Sequence, residues 1–339
     1  MKSLTEKFKN TSSLAARFGV DWFLLALIAM IVAARFWPGP GIQEGTFSLS
    51  QIARYGVSGI FFLYGLKLSP EKLRAGLSSW KVHIVVQLST FLLFPLIILP
   101  SYPLYQGTEH ELLWLGIFYL AALPSTVSSS VVMVSIAGGN IPAAIFNASI
   151  SSLAGIIITP LWMGVFLTAN PEAFDFLNVF GSLLIQVLVP VILGLILNRY
   201  WGAFAERQKT KLKFFDQFVI LLIIYTSFSD SFAQDMFSGI SKSDLLLLGG
   251  AMLALFFLVY GIMHFISKLL KFSQADQSTT IFCGSKKSLV HGTVMSKVLF
   301  PDPTIIGVVL LPTMVYHAMQ LLITSIVARK IARKKTLQA

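Results

Sequence analysis

The chain alternates between long apolar stretches and short polar connections. Ten apolar runs, each roughly 20 residues long and bounded by charges or turn residues, fall near 20–37, 53–68, 82–100, 112–137, 141–168, 178–199, 214–233, 244–270, 277–299 and 303–328. Roughly 20 apolar residues are what a helix needs to cross the ~30 Å hydrocarbon core of a bilayer. The pattern therefore predicts an all-α polytopic membrane protein of ten transmembrane helices. No series of short alternating strands separated by turns suggests a membrane barrel. Two runs carry polar residues midway. The fourth contains Leu123-Pro-Ser-Thr-Val-Ser-Ser-Ser-Val-Val132, and the ninth contains Ile281-Phe-Cys-Gly-Ser-Lys-Lys-Ser-Leu-Val290.

The connections sort by charge. Basic residues gather in the N-terminal segment (Lys2, Lys7, Lys9, Arg17), after the second run (Lys67, Lys72, Arg74, Lys81), after the sixth (Arg199, Arg207, Lys209, Lys211, Lys213), after the eighth (Lys268, Lys271) and in the tail (Arg329, Lys330, Arg333, Lys334, Lys335). The intervening connections, 38–52, 101–111, 169–177 and 234–243, are acidic or neutral apart from Lys242. Ten crossings put every basic connection on one side, and the positive-inside rule makes that side, with both termini, cytoplasmic. Ten divides into five plus five, and a five-helix repeat must be inverted in its second copy. The expected organisation is a cytoplasmic segment 1–19, a first repeat 20–169, a second, inverted repeat 170–329, and a basic tail 330–339. The interruptions of runs four and nine then occupy equivalent places. Paired broken helices of that kind mark a central binding site in secondary transporters.

Composition agrees with this placement. The 339 residues are 55% hydrophobic and 12% charged, with 28 phenylalanines and a mean hydropathy of +0.76, outside the range of soluble domains. The net charge of +11 resides in the connections and so argues for topology rather than for nucleic acid. One cysteine, Cys283, excludes an intrachain disulfide and a multi-cysteine metal site. Met1–Phe18 is polar and basic but is followed by no small-residue cleavage site, so it is not expected to be a cleaved signal peptide.

Candidate chemistry follows from polar residues at membrane depth. Thr126, Ser128, Ser129 and Ser130 follow Pro124, which disfavours helical geometry at Leu123. Their hydroxyls suit a cation or a substrate, the bland alternative being close helix packing. Asn147 and Ser151 are four apart and share a face, as ligands or as packing glue. Lys286 and Lys287 stand out most, because an ammonium at this depth costs at least ~3 kcal/mol on insertion scales. Snorkelling is the bland alternative, and it works poorly in mid-run. Gly284, Ser285 and Ser288 around them make a poor continuous helix. A lysine here can attract an anion, replace a bound cation or carry a proton. His291, Tyr316, His317 and Gln320 form a further polar group on runs nine and ten, with Gln87, Ser89 and Thr90 near Pro95 a weaker one. There is no P-loop, no Gly-x-Ser-x-Gly, no His-Glu-x-x-His and no paired intramembrane acid. An ATP-driven pump or an enzyme is therefore not expected, and no organic cofactor is implied.

Tyr64-Gly-Leu-Lys-Leu-Ser-Pro70, Leu123-Pro-Ser-Thr-Val, Gly139-Asn-Ile-Pro-Ala-Ala144, Thr159-Pro160 and Phe282-Cys-Gly-Ser-Lys-Lys-Ser-Leu289 occur in an order that resembles the bile acid:sodium symporter family, in its divergent "member 7", YfeH-like branch. The likeness runs from about Val20 to Arg329. It implies a panel domain of helices one, two, six and seven and a core domain of helices three to five and eight to ten, with helices four and nine broken where they cross. It also implies alternating access for a small organic anion coupled to sodium, in a bacterial inner membrane. By that resemblance Ser129 and Ser130 are candidate sodium ligands. Cys283 and Gly284 stand where the family has a glutamate, Lys286 and Lys287 where it has a glutamine and an asparagine, and Ser130 or Val131 at its helix-four asparagine. Trading a carboxylate for two potential ammoniums disfavours sodium, so proton-coupled and uncoupled transport stand as alternatives beside sodium coupling. The competing reading is a non-transporting protein of this fold that senses a ligand. The expected partners are a small organic anion and membrane lipid, with no nucleic acid.

Overall fold

The computed structural model describes residues 22–43, 45, 48–67, 77–167, 181, 184–300 and 302–336. The N-terminal segment 1–19, the divide expected near 169–172 and the tip of the tail lie outside them. Among the described residues every regular element is helical. The longer helices are α1 (Trp22–Phe36), α2 (Leu49–Leu66), α3 (Trp80–Tyr105, with irregular turns), α4 (Glu111–Ala122), α5 (Ser128–Ile136) and α6 (Ile141–Leu167). They continue with α7 (Val189–Arg207), α8 (Lys209–Ala233), α9 (Lys242–Leu269), α10 (Gln274–Gly284), α11 (Leu289–Leu299) and α12 (Ile306–Thr336).

Among the described residues, six stretches are long and apolar enough to cross a membrane: Trp80–Tyr105, Ile141–Phe166, Ile185–Arg207, Lys209–Ala233, Lys242–Leu269 and Pro303–Arg333. Leucine, isoleucine and phenylalanine side chains on α7 and α9, such as Ile192, Ile196, Leu246 and Phe257, point outward with nothing over them. That is the surface expected of lipid-facing helices. The fourth and ninth apolar runs are each divided at their polar interruption, into α4 with α5 and α10 with α11. Leu123 ends α4 in an extended conformation (φ −68°, ψ 152°), as the proline that follows it requires.

Helices α1, α2, α7 and α8 pack on one another, and α8 also touches α11, α12 and the turn before α12. The α2–α7 contact is a close backbone approach. A Cβ on Gly65 would stand 2.1 Å from Val191 O, and one on Gly194 2.1 Å from Phe62 O. Small residues at such a contact allow the dispersion packing that holds helices together where no hydrophobic effect operates. The same group is tied at one end by Lys67 Nζ on Asp216 at 2.9 Å and by Asn198 Nδ2 donating to Leu66 O at 2.7 Å. The remaining helices surround the two breaks. Ser273 caps α10 and Ser241 forms a capping box with Asp244 at the start of α9, which fixes where these helices begin.

Replacing Gly194 by leucine is expected to separate α2 from α7 and to cost several kcal/mol through overpacking. Thermal unfolding in detergent should show a large fall in midpoint for Gly194→Leu. Gly249→Ala, where nothing lies within 4 Å of the new methyl, should leave it unchanged or slightly raised.

Candidate functional site

The break after α4 exposes carbonyls that the helix no longer satisfies, and four of them find donors. Ala122 O accepts from Thr159 Oγ1 at 2.8 Å. Ala121 O and Leu123 O accept from Lys287 Nζ at 2.6 and 2.8 Å. Pro124 O accepts from the backbone N–H of Ser288 at 2.9 Å. The break after α10 is served in the same way. Phe282 O accepts from Ser130 Oγ at 3.2 Å, Cys283 O from Ser125 Oγ at 2.6 Å and Gly284 O from Ser89 Oγ at 2.9 Å. Ser285 O accepts from Tyr316 Oη at 2.7 Å. Gln320 holds both backbone groups of Lys287, accepting from its N–H at 2.9 Å and donating to its carbonyl at 2.8 Å. An unpaired carbonyl in lipid costs several kcal/mol, so these bonds are what permit two broken helices to meet at this depth.

Lys287 is the centre of the crossing. Its ammonium is fully buried and donates to Thr90 O at 2.6 Å as well as to Ala121 O and Leu123 O. Three carbonyl acceptors within hydrogen-bond reach match the three protons of an ammonium. The face of Phe94 lies 4.1 Å from Nζ, and the negative end of the α4 dipole adds to the attraction. Thr90 O is available because of a local irregularity in α3. Residues Ser89–Leu93 form a π turn in which the N–H of Phe94 reaches back to Ser89 O. The next donor in that register would be Pro95, which has no N–H. Phe91 O, deprived by the same proline, accepts from Trp162 Nε1 at 2.8 Å.

Lys286 is equally buried but has a different set of contacts. Its ammonium donates to Ser129 O at 3.0 Å, in the first turn of α5. Beside it Ser129 Oγ donates to Thr126 Oγ1 at 2.8 Å, and Thr126 and Ser130 share a 2.7 Å hydroxyl contact. The side chain of Ser128 lies outside the described residues. Among the described residues no carboxylate forms an ion pair with either lysine.

The other candidates divide. Ser288 caps α11, accepting from the His291 N–H at 3.3 Å and meeting His291 Nδ1 at 2.9 Å. The His291 ring lies edge-on to Phe61 and Tyr64 of α2, with centroids 6.1 and 5.8 Å away. Tyr64 Oη donates to Ser149 O at 3.2 Å. Ser151 Oγ accepts from the Ser125 N–H at 2.9 Å and so belongs to the break. Asn147, on the same face, is bonded to Ala143 O and to Gln87 Nε2 at 3.0 and 3.3 Å. His317 is half-buried and meets Gln320 Nε2 at 3.0 Å. Tyr316, Gln320, Ser130, Lys286 and Lys287 are therefore brought together, while Asn147 and His317 sit one contact away. Ser125 and Thr159 were not legible as members. Ser125 adjoins a proline, which was the available signal, whereas Thr159 lies on α6, far along the chain from the carbonyl it serves.

Sodium does not fit this crossing. A hard cation needs oxygen ligands, commonly with a carboxylate among them. Here Lys287 occupies three carbonyls, Lys286 takes a fourth, and the hydroxyls of Ser129 and Ser130 are engaged with Thr126 and Phe282. Nor do the described residues contain any group of three or more His, Cys, Asp or Glu that would hold a metal ion.

A sequence model of the SBF-like CPA transporter family matches residues 21–333. The Escherichia coli protein YfeH, whose name describes it provisionally as a symporter, is 35% identical over 315 residues, covering 93% of this chain and 94% of its own. Sodium/bile acid cotransporter 7-B of Xenopus laevis is 33% identical over 337 residues, 96% of this chain and 97% of its own. A Pseudomonas aeruginosa protein named only as uncharacterized is 39% identical over 319 residues, 94% and 95% of the two chains. With an all-helical architecture among its described residues and likeness along nearly its whole length, the chain belongs to the SBF-like CPA transporter family.

Proposed function

We propose that this protein is a secondary transporter that moves a small organic anion across the membrane by alternating access, with no requirement for sodium. The observation that carries the reading is the presence of two buried lysine side chains at the crossing, with no carboxylate paired to them among the described residues. An excess of positive charge in a low-dielectric site favours an anionic guest. The names of the relatives, one provisionally a symporter and one a sodium/bile acid cotransporter, support transport as the class of activity.

In this reading the two lysines have different tasks. Lys287 is a fixed internal cation. Its three donors are committed to Thr90, Ala121 and Leu123, so it holds the breaks closed as a bound metal ion would. Lys286, with one carbonyl partner and the Thr126, Ser129 and Ser130 hydroxyls alongside, is the group that meets the substrate. It is also the group able to exchange a proton. Ten crossings arranged as two inverted five-helix repeats, with α1, α2, α7 and α8 as the panel and the rest as the core, would let the crossing face each side of the membrane in turn. Both termini would then lie in the cytoplasm of a bacterium.

Two experiments test this. Purified protein in liposomes should catalyse counterflow of an organic anion selected from taurocholate and short carboxylates by thermal stabilisation, at equal rates in sodium and choline buffers. Stabilisation without counterflow would instead indicate a ligand sensor, and strict sodium dependence would refute the role given to Lys287. In the same assay Lys286→Gln should retain the wild-type unfolding midpoint and lose uptake by about ten-fold or more, the loss expected when a charged contact to substrate is removed. If Lys286 binds the anion as an ammonium, wild-type uptake falls as pH rises, and the variant loses that dependence. Lys287→Met should instead fail to fold stably, since it orphans three buried carbonyls at about 1–3 kcal/mol each.

A further inference from the structure

A cavity of about 370 Å³ opens where α3 ends and α4 begins, at the opposite end of α4 from the crossing. The 12 residues of α4 hold the two about 18 Å apart at 1.5 Å per residue, so this cavity is separate from the site described above. One wall is aromatic. Tyr102 of α3, Trp114 of α4 and Phe166 of α6 line it, with ring centroids 4.7, 5.0 and 5.1 Å apart in pairs. Trp114 Nε1 donates to Ser101 Oγ at 2.8 Å, which fixes the indole and satisfies its one donor.

Two carboxylates, those of Glu109 and Glu111, complete the lining. Glu111 stands in the first turn of α4, where the helix dipole favours negative charge. Its oxygens accept from Tyr102 Oη at 3.2 Å and from the Gly107 N–H at 2.8 Å, so one carboxylate ties the aromatic wall to the loop before α4. Gly107 has φ +74°, a backbone that glycine adopts without penalty and that turns the loop back onto Glu111. Glu109 is 74% exposed and lies 3.7 Å from His110, which is itself 4.0 Å from Asp244 at the start of α9. No lysine or arginine is among the residues that line the cavity.

We propose that this cavity binds a small, free organic cation through an alkylated ammonium group. Aromatic rings attract such a group electrostatically, and the two carboxylates balance its charge. An alkylated ammonium donates few hydrogen bonds, so it does not compete for the acceptors that Glu111 already commits to Tyr102 and Gly107. The organic anion proposed for the crossing would meet charge of its own sign here, and the two sites therefore take different molecules. A lipid headgroup fits less well than a free cation. Its phosphate, held next to the ammonium, would find no basic partner in the lining and would lie against the glutamates.

Choline is the probe, with its neutral carbon isostere dimethylbutanol and with phosphocholine as comparisons. In the full-length protein, at constant ionic strength, choline should raise the unfolding midpoint saturably with half-saturation at about a millimolar, the scale for so small a ligand. Dimethylbutanol should leave the midpoint unchanged, and phosphocholine should bind more weakly than choline. Glu109→Gln, at an exposed position, should weaken binding by up to about five-fold, as loss of a surface charge contact does. Phe166→Leu should weaken it about two- to five-fold, and the two together about ten-fold. The absence of a saturable response, an equal response to dimethylbutanol, or a double variant with the wild-type half-saturation overturns the proposal. Nanodiscs separate the two sources of an ammonium. A choline response that is present in phosphatidylglycerol and lost in phosphatidylcholine would make a lipid headgroup the occupant and would likewise overturn it. Binding is read here without transport, so the result stands apart from whether an anion moves through the crossing.

Discussion

A single ammonium, that of Lys287, holds the two helix breaks together, and the rest of the crossing is arranged around it. Lipid offers no hydrogen bonds, so a helix can be interrupted in a membrane only if the protein supplies donors for the exposed carbonyls. Lys287 supplies three at once, to Thr90, Ala121 and Leu123. The cost of burying its charge, several kcal/mol for an ion in protein, is offset by those carbonyls, the Phe94 face and the end of the α4 dipole. Neither partner is stable alone, because the carbonyls without the ammonium would be orphaned and the ammonium without them would be unsolvated.

Two prolines create the need for this arrangement. Pro124 forces Leu123 out of the helix and opens the C-terminal end of α4. Pro95 removes a donor from α3, and the π turn at Ser89–Leu93 shifts the shortfall to Thr90 O. Serines and threonines satisfy the other exposed carbonyls, with Tyr316 and Gln320 of α12 holding the non-helical residues Ser285 and Lys287. Of the hydroxyls that would suit a cation in isolation, Ser130 donates to Phe282 O, while Ser129 donates to Thr126.

Much of this was legible in the sequence. Hydropathy alone located most of the described helices to within a few residues, since a span has to match the bilayer and its ends are marked by charges. The polar interruptions at 123–130 and 283–288 foretold both breaks, because a proline disfavours helix at the residue before it and a glycine among serines makes a poor continuous helix. What could not be read was the pairing. Lys286 and Lys287 are adjacent and chemically identical, and only the third dimension shows that one commits every proton to backbone while the other has a single carbonyl. The α3 contribution was legible only as a weak polar group at Gln87, Ser89 and Thr90 near Pro95. A π turn has no signature of its own, and Ser89 and Thr90 act on residues nearly 200 positions away.

The central claim is that Lys287 is a permanently charged internal cation. Side-chain nitrogen NMR on protein labelled at lysine Nζ tests it directly, with Lys287→Arg used to assign the signal. The account predicts a slowly exchanging resonance coupled to three protons that persists unchanged well into the alkaline range. A resonance with the shift and proton count of a neutral amine at neutral pH would contradict it.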